Sequence, residues 1–283
     1  MRGKARAINL LARFSRRGWR ASLLAGVLSG GLKCVRPRGR VAVENLRLAY
    51  PEAMERWIRA TVNGVYEHIA WMTAEYLALV RNPSQALDWI VTVEGKEILD
   101  RIKSTGSGAI ILTGHIGNWE LLAAWLAQSG YPLSAVVRNP DDEDLSELIS
   151  VYRSSLGVGV FEKKFVMKDA VRFARNGGFL GLLPDGDTVG AGVSSQFFGR
   201  TCYTARGPAA IARLSGAPVV PVVSYRIAPF KHEVRICEPL PMVKTQDSEE
   251  SLRENTATMN RALEKMILAR PEQWLWLHRR WRY

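Results

Sequence analysis

A histidine and a glutamate stand five positions apart in Thr-Gly-His-Ile-Gly-Asn-Trp-Glu, residues 113–120. An imidazole steadied by a carboxylate can take a proton from a substrate hydroxyl and so activate it as a nucleophile. Such general-base help contributes about 10²–10⁴-fold to a rate. On a straight helix of 3.6 residues per turn, five positions leave two side chains about 140° apart, so one helix cannot join His115 to Glu120. The expected arrangement is a loop feeding a helix. Gly114 and Gly117 allow turn conformations closed to other residues, Asn118 is a good N-cap, Trp119 opens the helix and Glu120 falls in its first turn. The bend is then expected to carry the His115 imidazole to the Glu120 carboxylate. A plainer reading stays open, because a histidine near a turn is commonly structural and a glutamate in a first turn suits the helix dipole.

Other residues could join such a site. Arg138 follows an apolar run and precedes the acidic stretch 141–144; its fork could hold a phosphate or a developing oxyanion, or simply pair with Asp141 or Asp142. Asp185 and Asp187 follow "FLGLLP". Two carboxylates are weak evidence for a divalent cation, so Asp185 reads as a group that orders the site or meets a substrate hydroxyl, and no metal or cofactor is expected. Thr204 and Gly207 are expected to open a helix whose first amides could bind an anion, with Arg206 between them. Asn118 and Arg206 therefore join Arg138 and Asp185 as candidates for substrate binding or oxyanion stabilisation. Trp119, Phe197 and Phe198 are candidates for the apolar wall of a groove. His68, His232 and His278 read first as structural. No Gly-x-Ser-x-Gly elbow, phosphate-binding loop or dinucleotide fingerprint occurs in the chain.

The elements that must position these groups follow from hydrophobic patterning. Residues 53–81 repeat apolar side chains at helical spacing up to Pro83. Beyond them, runs at 89–93, 109–113, 133–137, 179–183 and 218–224 read as strands, with a further one at 232–240. Helical patterns at 119–129, 142–156, 167–176 and 205–215 lie between the strands, and another covers 248–270. This alternation predicts an α/β fold, an αβα sandwich with a largely parallel, twisted sheet flanked by helices. In such sheets ligands collect where strands end and loops enter helices, which is where "GHIGN" falls.

Of the chain's 283 residues 47% are hydrophobic and 23% charged, an ordinary globular composition. The net charge of +12 is concentrated at the start: residues 1–40 hold eleven of the 39 Lys and Arg and no acid, leaving 28 bases against 27 acids elsewhere. Between Ile8 and Leu28, apolar residues alternate with clustered arginines. The longest uncharged stretch, 21–32, is far short of the roughly 20 apolar residues of a membrane span. An amphipathic helix lying on an anionic membrane surface is expected, against a helix packed on the domain or a nucleic-acid contact. The division expected is a basic membrane-associating segment, 1–40, and a single domain, 41–283. Cys34, Cys202 and Cys237 lack paired or metal-ligand spacing and suggest reduced thiols in a cytosolic compartment.

Four blocks, in order, carry a family resemblance. "TGHIGNWE" resembles the H-x4-D/E signature of the glycerolipid acyltransferase superfamily, in the version found in bacterial lipid A late (secondary) acyltransferases. "VVRNPDDEDLSELISVYRSSLG" (136–157) resembles that family's arginine-containing second block, with Arg-Asn-Pro where Arg-Pro is common. "LLPDGDTVGAGVSSQFFGRTCYTARGPAAIARLSGAPVVPVV" (182–223) and "PEQWLWLHRRW" (271–281) resemble the third block and the C-terminal ending. The resemblance covers about residues 40–281. It implies a glycerol-3-phosphate acyltransferase-like fold with N-terminal membrane-associated helices. It also implies transfer of a fatty acyl group from an acyl carrier protein thioester to a hydroxyl of a lipid A precursor, at the cytoplasmic face of the inner membrane. In that reading His115 is the base, Glu120 its partner, and no acyl-enzyme forms. The alternatives are another lipid acceptor, such as a phosphatidylinositol mannoside, another glycolipid or a lysophospholipid, with acyl-CoA as a possible donor. A different class is a non-enzymatic basic protein that binds membrane or nucleic acid, although no nucleic-acid partner is expected.

Overall fold

The computed structural model describes residues 3–15, 18–137, 142–162, 166–188 and 192–281. The chain opens with helices α1 (Gly3–Phe14), α2 (Gly18–Val35), α3 (Gly39–Ala49), α4 (Glu55–Leu79) and the short α5 (Gln85–Trp89). Strands and helices then alternate: β1 (Ile90–Glu94), α6 (Lys96–Ser104), β2 (Ala109–Leu112), α7 (Trp119–Gln128), β3 (Leu133–Val137), α8 (Glu143–Ser155), β4 (Gly159–Glu162), α9 (Val166–Arg175) and β5 (Phe179–Leu182). A hairpin, β6 (Gly192–Phe197) and β7 (Arg200–Ala205), precedes α10 (Arg206–Ser215), β8 (Val219–Ala228), β9 (Lys231–Ile236) and α11 (Ser248–Ala269).

Among the described residues seven strands form one sheet in the order β1-β9-β8-β2-β5-β3-β4. Every pairing in it is parallel except the β8–β9 hairpin. Both faces are covered, and the strand sequences show it. In β2, Ala109 and Ile111 enter one core cluster while Ile110 and Leu112 enter the other; Val220 and Val222 of β8 face the first, Val219 and Val223 the second. A strand buried on both faces reads as a continuous apolar run, as "AIIL" does. Helix α4 contributes to both cores: Ile58, Val62, Val65 and Tyr66 near its start go to one, and Ala74, Leu77, Ala78 and Leu79 near its end go to the other.

Several expectations are corrected. The segment Ile8–Leu28 is not one helix but parts of α1 and α2. Helix α2 lays Ala21, Leu24, Ala25 and Ser29 inward, the first three in the same core as Ala74, Leu77 and Ala78 of α4, and turns Trp19, Leu23 and Val27 outward. At 100° per residue positions 19, 23 and 27 share a stripe opposite to 21, 25 and 29. No helix of the described residues is long and apolar enough to cross a membrane.

Strand β4 and the β6–β7 hairpin were not expected. The hairpin turns on Phe198 and Gly199, both at positive φ (50° and 67°), which matches the tight two-residue turns that follow strand twist. Thr204 does not open a helix; it lies in β7, buried, and the helix starts at Arg206.

Candidate active site

The site grows from two neighbouring strands. In the parallel pair β2–β5, Leu112 stands opposite Leu182, and the Thr113 N–H continues the ladder to the Leu182 carbonyl at 3.1 Å. Parallel strands release their following loops at the same end. His115 and Asp185, each three residues past that pair, therefore meet. Asp185 Oδ1 is 2.9 Å from His115 Nδ1, and Asp185 Oδ2 accepts from the His115 backbone N–H at 2.7 Å. Trp274 Nε1–H donates to the same Oδ2 at 2.8 Å. A Cβ at Gly114 would come within 3.1 Å of the Asp185 carboxyl group, so the missing side chain keeps this approach open.

Asp185 is wholly buried. Burial pushes its pKa up, but His115, His278 and the Trp274 hydrogen bond outweigh that, and the carboxyl group is held below its ordinary range. An ionised Asp185 can only accept, so Nδ1 of His115 carries the proton and Nε2 is left as the basic nitrogen. Burial also works against a charged His115; the charge and hydrogen bond of Asp185, with a smaller contribution from Glu120, reverse that and raise its pKa above the ordinary value. The side chain remains 36% exposed. The His278 Nε2–H donates to the Asp185 carbonyl oxygen at 3.0 Å, and Arg280, wholly buried, donates to the Gly186 and Tyr203 carbonyls and to Thr204 Oγ1. The C-terminal segment thus braces the loop that holds Asp185.

The carboxylate bonded to His115 is therefore Asp185 and not Glu120. Glu120 turns to Arg153 of α8, which donates from Nη2 to Oε1 at 2.7 Å and from Nε to Oε2 at 3.3 Å. The loop puts Glu120 close enough to act on His115 through space, but its hydrogen bonds are spent on the guanidinium. Arg153 escaped notice in the sequence because nothing there ties it to Glu120, 33 residues earlier. Trp119 sets an edge against the imidazole, ring centroids 5.0 Å apart at 78°.

The remaining candidates are scattered. Arg138 lies outside the described residues. Asn118 is buried; its Oδ1 caps the Leu121 N–H, as the sequence suggests, and its Nδ2 donates to the buried Glu75 of α4 at 2.9 Å. Both ends of the amide are thus occupied within the protein. Arg206 is exposed and paired with Glu249 of α11. Phe197 is fully buried against Trp274 and Trp281, with Arg280 stacked 4.7 Å from its ring centroid, so it is a core side chain rather than a groove wall. Phe198 is half-buried on Tyr50 and Trp276. Among the described residues no group of three or more His, Cys, Asp or Glu could hold a metal ion.

Comparison with known proteins meets this geometry. The chain is 28% identical over 145 residues to a phosphatidylinositol mannoside acyltransferase of Mycobacterium tuberculosis, covering 50% of this chain and 45% of that protein. It is 32% identical over 122 residues to the protein of that name from Mycolicibacterium smegmatis, covering 41% and 40%. These matches span less than half the length of the mycobacterial relatives. A lipid A biosynthesis lauroyltransferase of Escherichia coli is 25% identical over 257 residues, 89% of this chain and 81% of that protein. The profile of one family, described as bacterial lipid A biosynthesis acyltransferase, matches residues 22–283. The chain, with its His115–Asp185 pair at the ends of two adjacent strands, belongs to the bacterial lipid A biosynthesis acyltransferase family.

Proposed function

We propose that the protein is an O-acyltransferase that moves a fatty acyl group from an acyl carrier protein thioester to a hydroxyl of a lipid A precursor. The observation that carries this reading is the His115 imidazole, fixed by a buried Asp185 at a sheet end within a chain of this family. Nε2 of His115 takes the proton of the acceptor hydroxyl as its oxygen attacks the thioester carbonyl. The carbon–oxygen bond forms, the carbon–sulfur bond breaks, and the thiolate leaves to be protonated. Asp185 stabilises the imidazolium that forms, and Glu120, held by Arg153, adds negative charge nearby. No acyl-enzyme intervenes. Arg138 is a candidate for the oxyanion or a lipid phosphate, and the contact of Trp119 with the imidazole supports its candidacy for bordering the acyl chain.

The enzyme works on the cytoplasmic face of the inner membrane. Helix α2 supports this: Trp19 and Val27 are 61% and 65% exposed on one stripe, in a segment rich in arginine. Such a surface suits an anionic bilayer. A second reading keeps the chemistry and changes the acceptor to a phosphatidylinositol mannoside, favoured by the mycobacterial relatives of that name.

The test is mass spectrometry of membrane lipids from cells with the gene, without it, and complemented by His115→Ala. A lipid lighter by one acyl group without the gene, restored by the wild-type chain and not by the variant, is expected and names the acceptor. Full restoration by His115→Ala would overturn the proposal.

A further inference from the structure

Beneath the His115 loop lies a buried polar cluster that the reaction does not use directly. Helix α4 passes behind the loop and sends Glu75 inward, wholly buried, to a two-pronged pair with Arg226 of β8: Nε to Oε1 at 2.9 Å and Nη2 to Oε2 at 2.7 Å. Glu75 Oε1 also accepts from the Phe230 N–H at 3.2 Å, and His232 Nε2 lies 3.2 Å from Oε2. Taking two charges out of water costs several kcal/mol per ion, and burial of this kind is weak evidence for stability alone. Its partners on the loop suggest why it is there.

Two contacts rise from this cluster to the consecutive residues that end the loop. Asn118 Nδ2 donates to Glu75 Oε2 at 2.9 Å. His68 bridges Arg226 to Gly117: Arg226 Nη1 is 2.8 Å from His68 Nδ1, and His68 Nε2 is 3.1 Å from the Gly117 carbonyl oxygen. A guanidinium only donates and a carbonyl only accepts, so the His68 tautomer is fixed with its proton on Nε2. Backbone bonds finish the frame. The Asn118 N–H donates to the Ser224 carbonyl, the Gly117 N–H to the Gln273 carbonyl, and the Gln273 side chain ties both main-chain groups of Arg226.

We infer that Glu75, Arg226 and His68 form a positioning network that sets the place of His115 by clamping Gly117 and Asn118 from below. None of the three touches the imidazole. Their effect is on where the ring stands relative to the acceptor hydroxyl, and an error of about 1 Å in such a position can cost about 10²-fold in rate. The inference rests on His115 being the base.

Its test uses the full chain, purified in detergent micelles, with lauroyl-acyl carrier protein as donor and a lipid A precursor as acceptor. His68→Leu removes both contacts of the bridge, while His68→Gln keeps a donor and an acceptor at similar reach. Asn118→Ser retains a capping oxygen for Leu121 and loses only the bond to Glu75. His68→Leu and Asn118→Ser are expected to lower kcat by about 10- to 100-fold with little change in either KM, and His68→Gln to recover most of the loss. Folded variants with wild-type kcat, or a loss that appears in KM alone, or no recovery in His68→Gln, would overturn the network. If His68→Leu does not fold, Asn118→Ser decides alone by the same readout. His115→Ala is run alongside: turnover undiminished there would sink the base assignment, whereas its loss together with wild-type kcat in the network variants would sink only this inference.

Discussion

Asp185 Oδ1 lies 2.9 Å from Nδ1 of His115, joining residues 70 positions apart. That contact orients the imidazole, selects its tautomer and raises its basicity.

In the proposed mechanism His115 must be neutral to accept a proton, so the rate is expected to fall as pH drops through its raised pKa, above the ordinary histidine value of about 6.5. Asp185→Asn removes the charge that raises it. The acid limb of kcat against pH is expected to move to lower pH, with kcat itself reduced about 10²–10⁴-fold as tautomer and orientation are lost. Glu120→Gln moves the limb the same way by less, since Glu120 acts only through space. A limb that stays put in Asp185→Asn would separate the two residues functionally.

Gly117 has φ +58°, and a Cβ there would sit 1.8 Å from the Ser224 carbonyl oxygen, a backbone atom that cannot swing aside. Gly117→Ala is expected to destabilise the fold by more than about 1 kcal/mol and to displace the loop, lowering the melting temperature and activity together. Gly186→Ala, where a Cβ would meet nothing within 4 Å, serves as the matched comparison.

Stability also depends on pH, with two signs. Glu75 and Asp185 are held below their ordinary range, Glu75 against burial by Arg226 and His232; each contributes stability above its unfolded value, lost as pH falls through the folded one. His68 and His232 are depressed, chiefly by burial, so the unfolded chain takes up their protons first and stability drops as pH falls below about 6.5. His115 opposes this, its contribution being full below that value and lost as pH rises through its raised pKa. Urea midpoints between pH 7 and 5 are expected to fall. The slope should be shallower in His68→Gln by up to about 1.4 kcal/mol per pH unit, the equivalent of one proton. An unchanged slope would mean that His68 is equally protonated in both states.

The outward stripe of α2 gives a membrane test that leaves its inner face alone. Replacing Trp19, Leu23 and Val27 together by glutamine is expected to shift the protein from the floated vesicle fraction to the bottom fraction in low-salt flotation with anionic vesicles. Flotation equal to wild type would remove the stripe from the binding surface.

Much of the fold was legible in the sequence because strands buried on both faces and helices with one apolar side leave strong periodic traces. Strands β2, β3, β5 and β8 and helices α4, α7, α8 and α11 fall within a few residues of their expected bounds. The hairpin is obscured by its own chemistry: the paired phenylalanines of "SQFFG" read as an apolar wall, although Val193, Ser195 and Phe197 alternate inward with period two. Strand β4, Gly-Val-Phe-Glu at the sheet edge, lacks the closely spaced aliphatic run that marks "AIIL" and "FLGL" of equal length. At the site, the loop carrying His115 and the cap at Asn118 were readable, because glycine and asparagine signal local geometry. The partner of His115 was not. Choosing Asp185 over Glu120 requires knowing that β2 and β5 are neighbours, and strand order leaves no mark on either segment alone. Glu75 was hidden for a similar reason, being one acid in a long helix whose partners come from β8 and the loop.

Because α2 fills the flank of α4 with Ala21, Leu24 and Ala25, the opening of the chain is not a detachable tether. Trimming it away to obtain a version free of lipid would strip Ala74, Leu77 and Ala78 of their cover and loosen the same rod that carries His68 and Glu75. On the membrane reading proposed above, a version for plain buffer keeps this backbone whole and changes only the outer stripe.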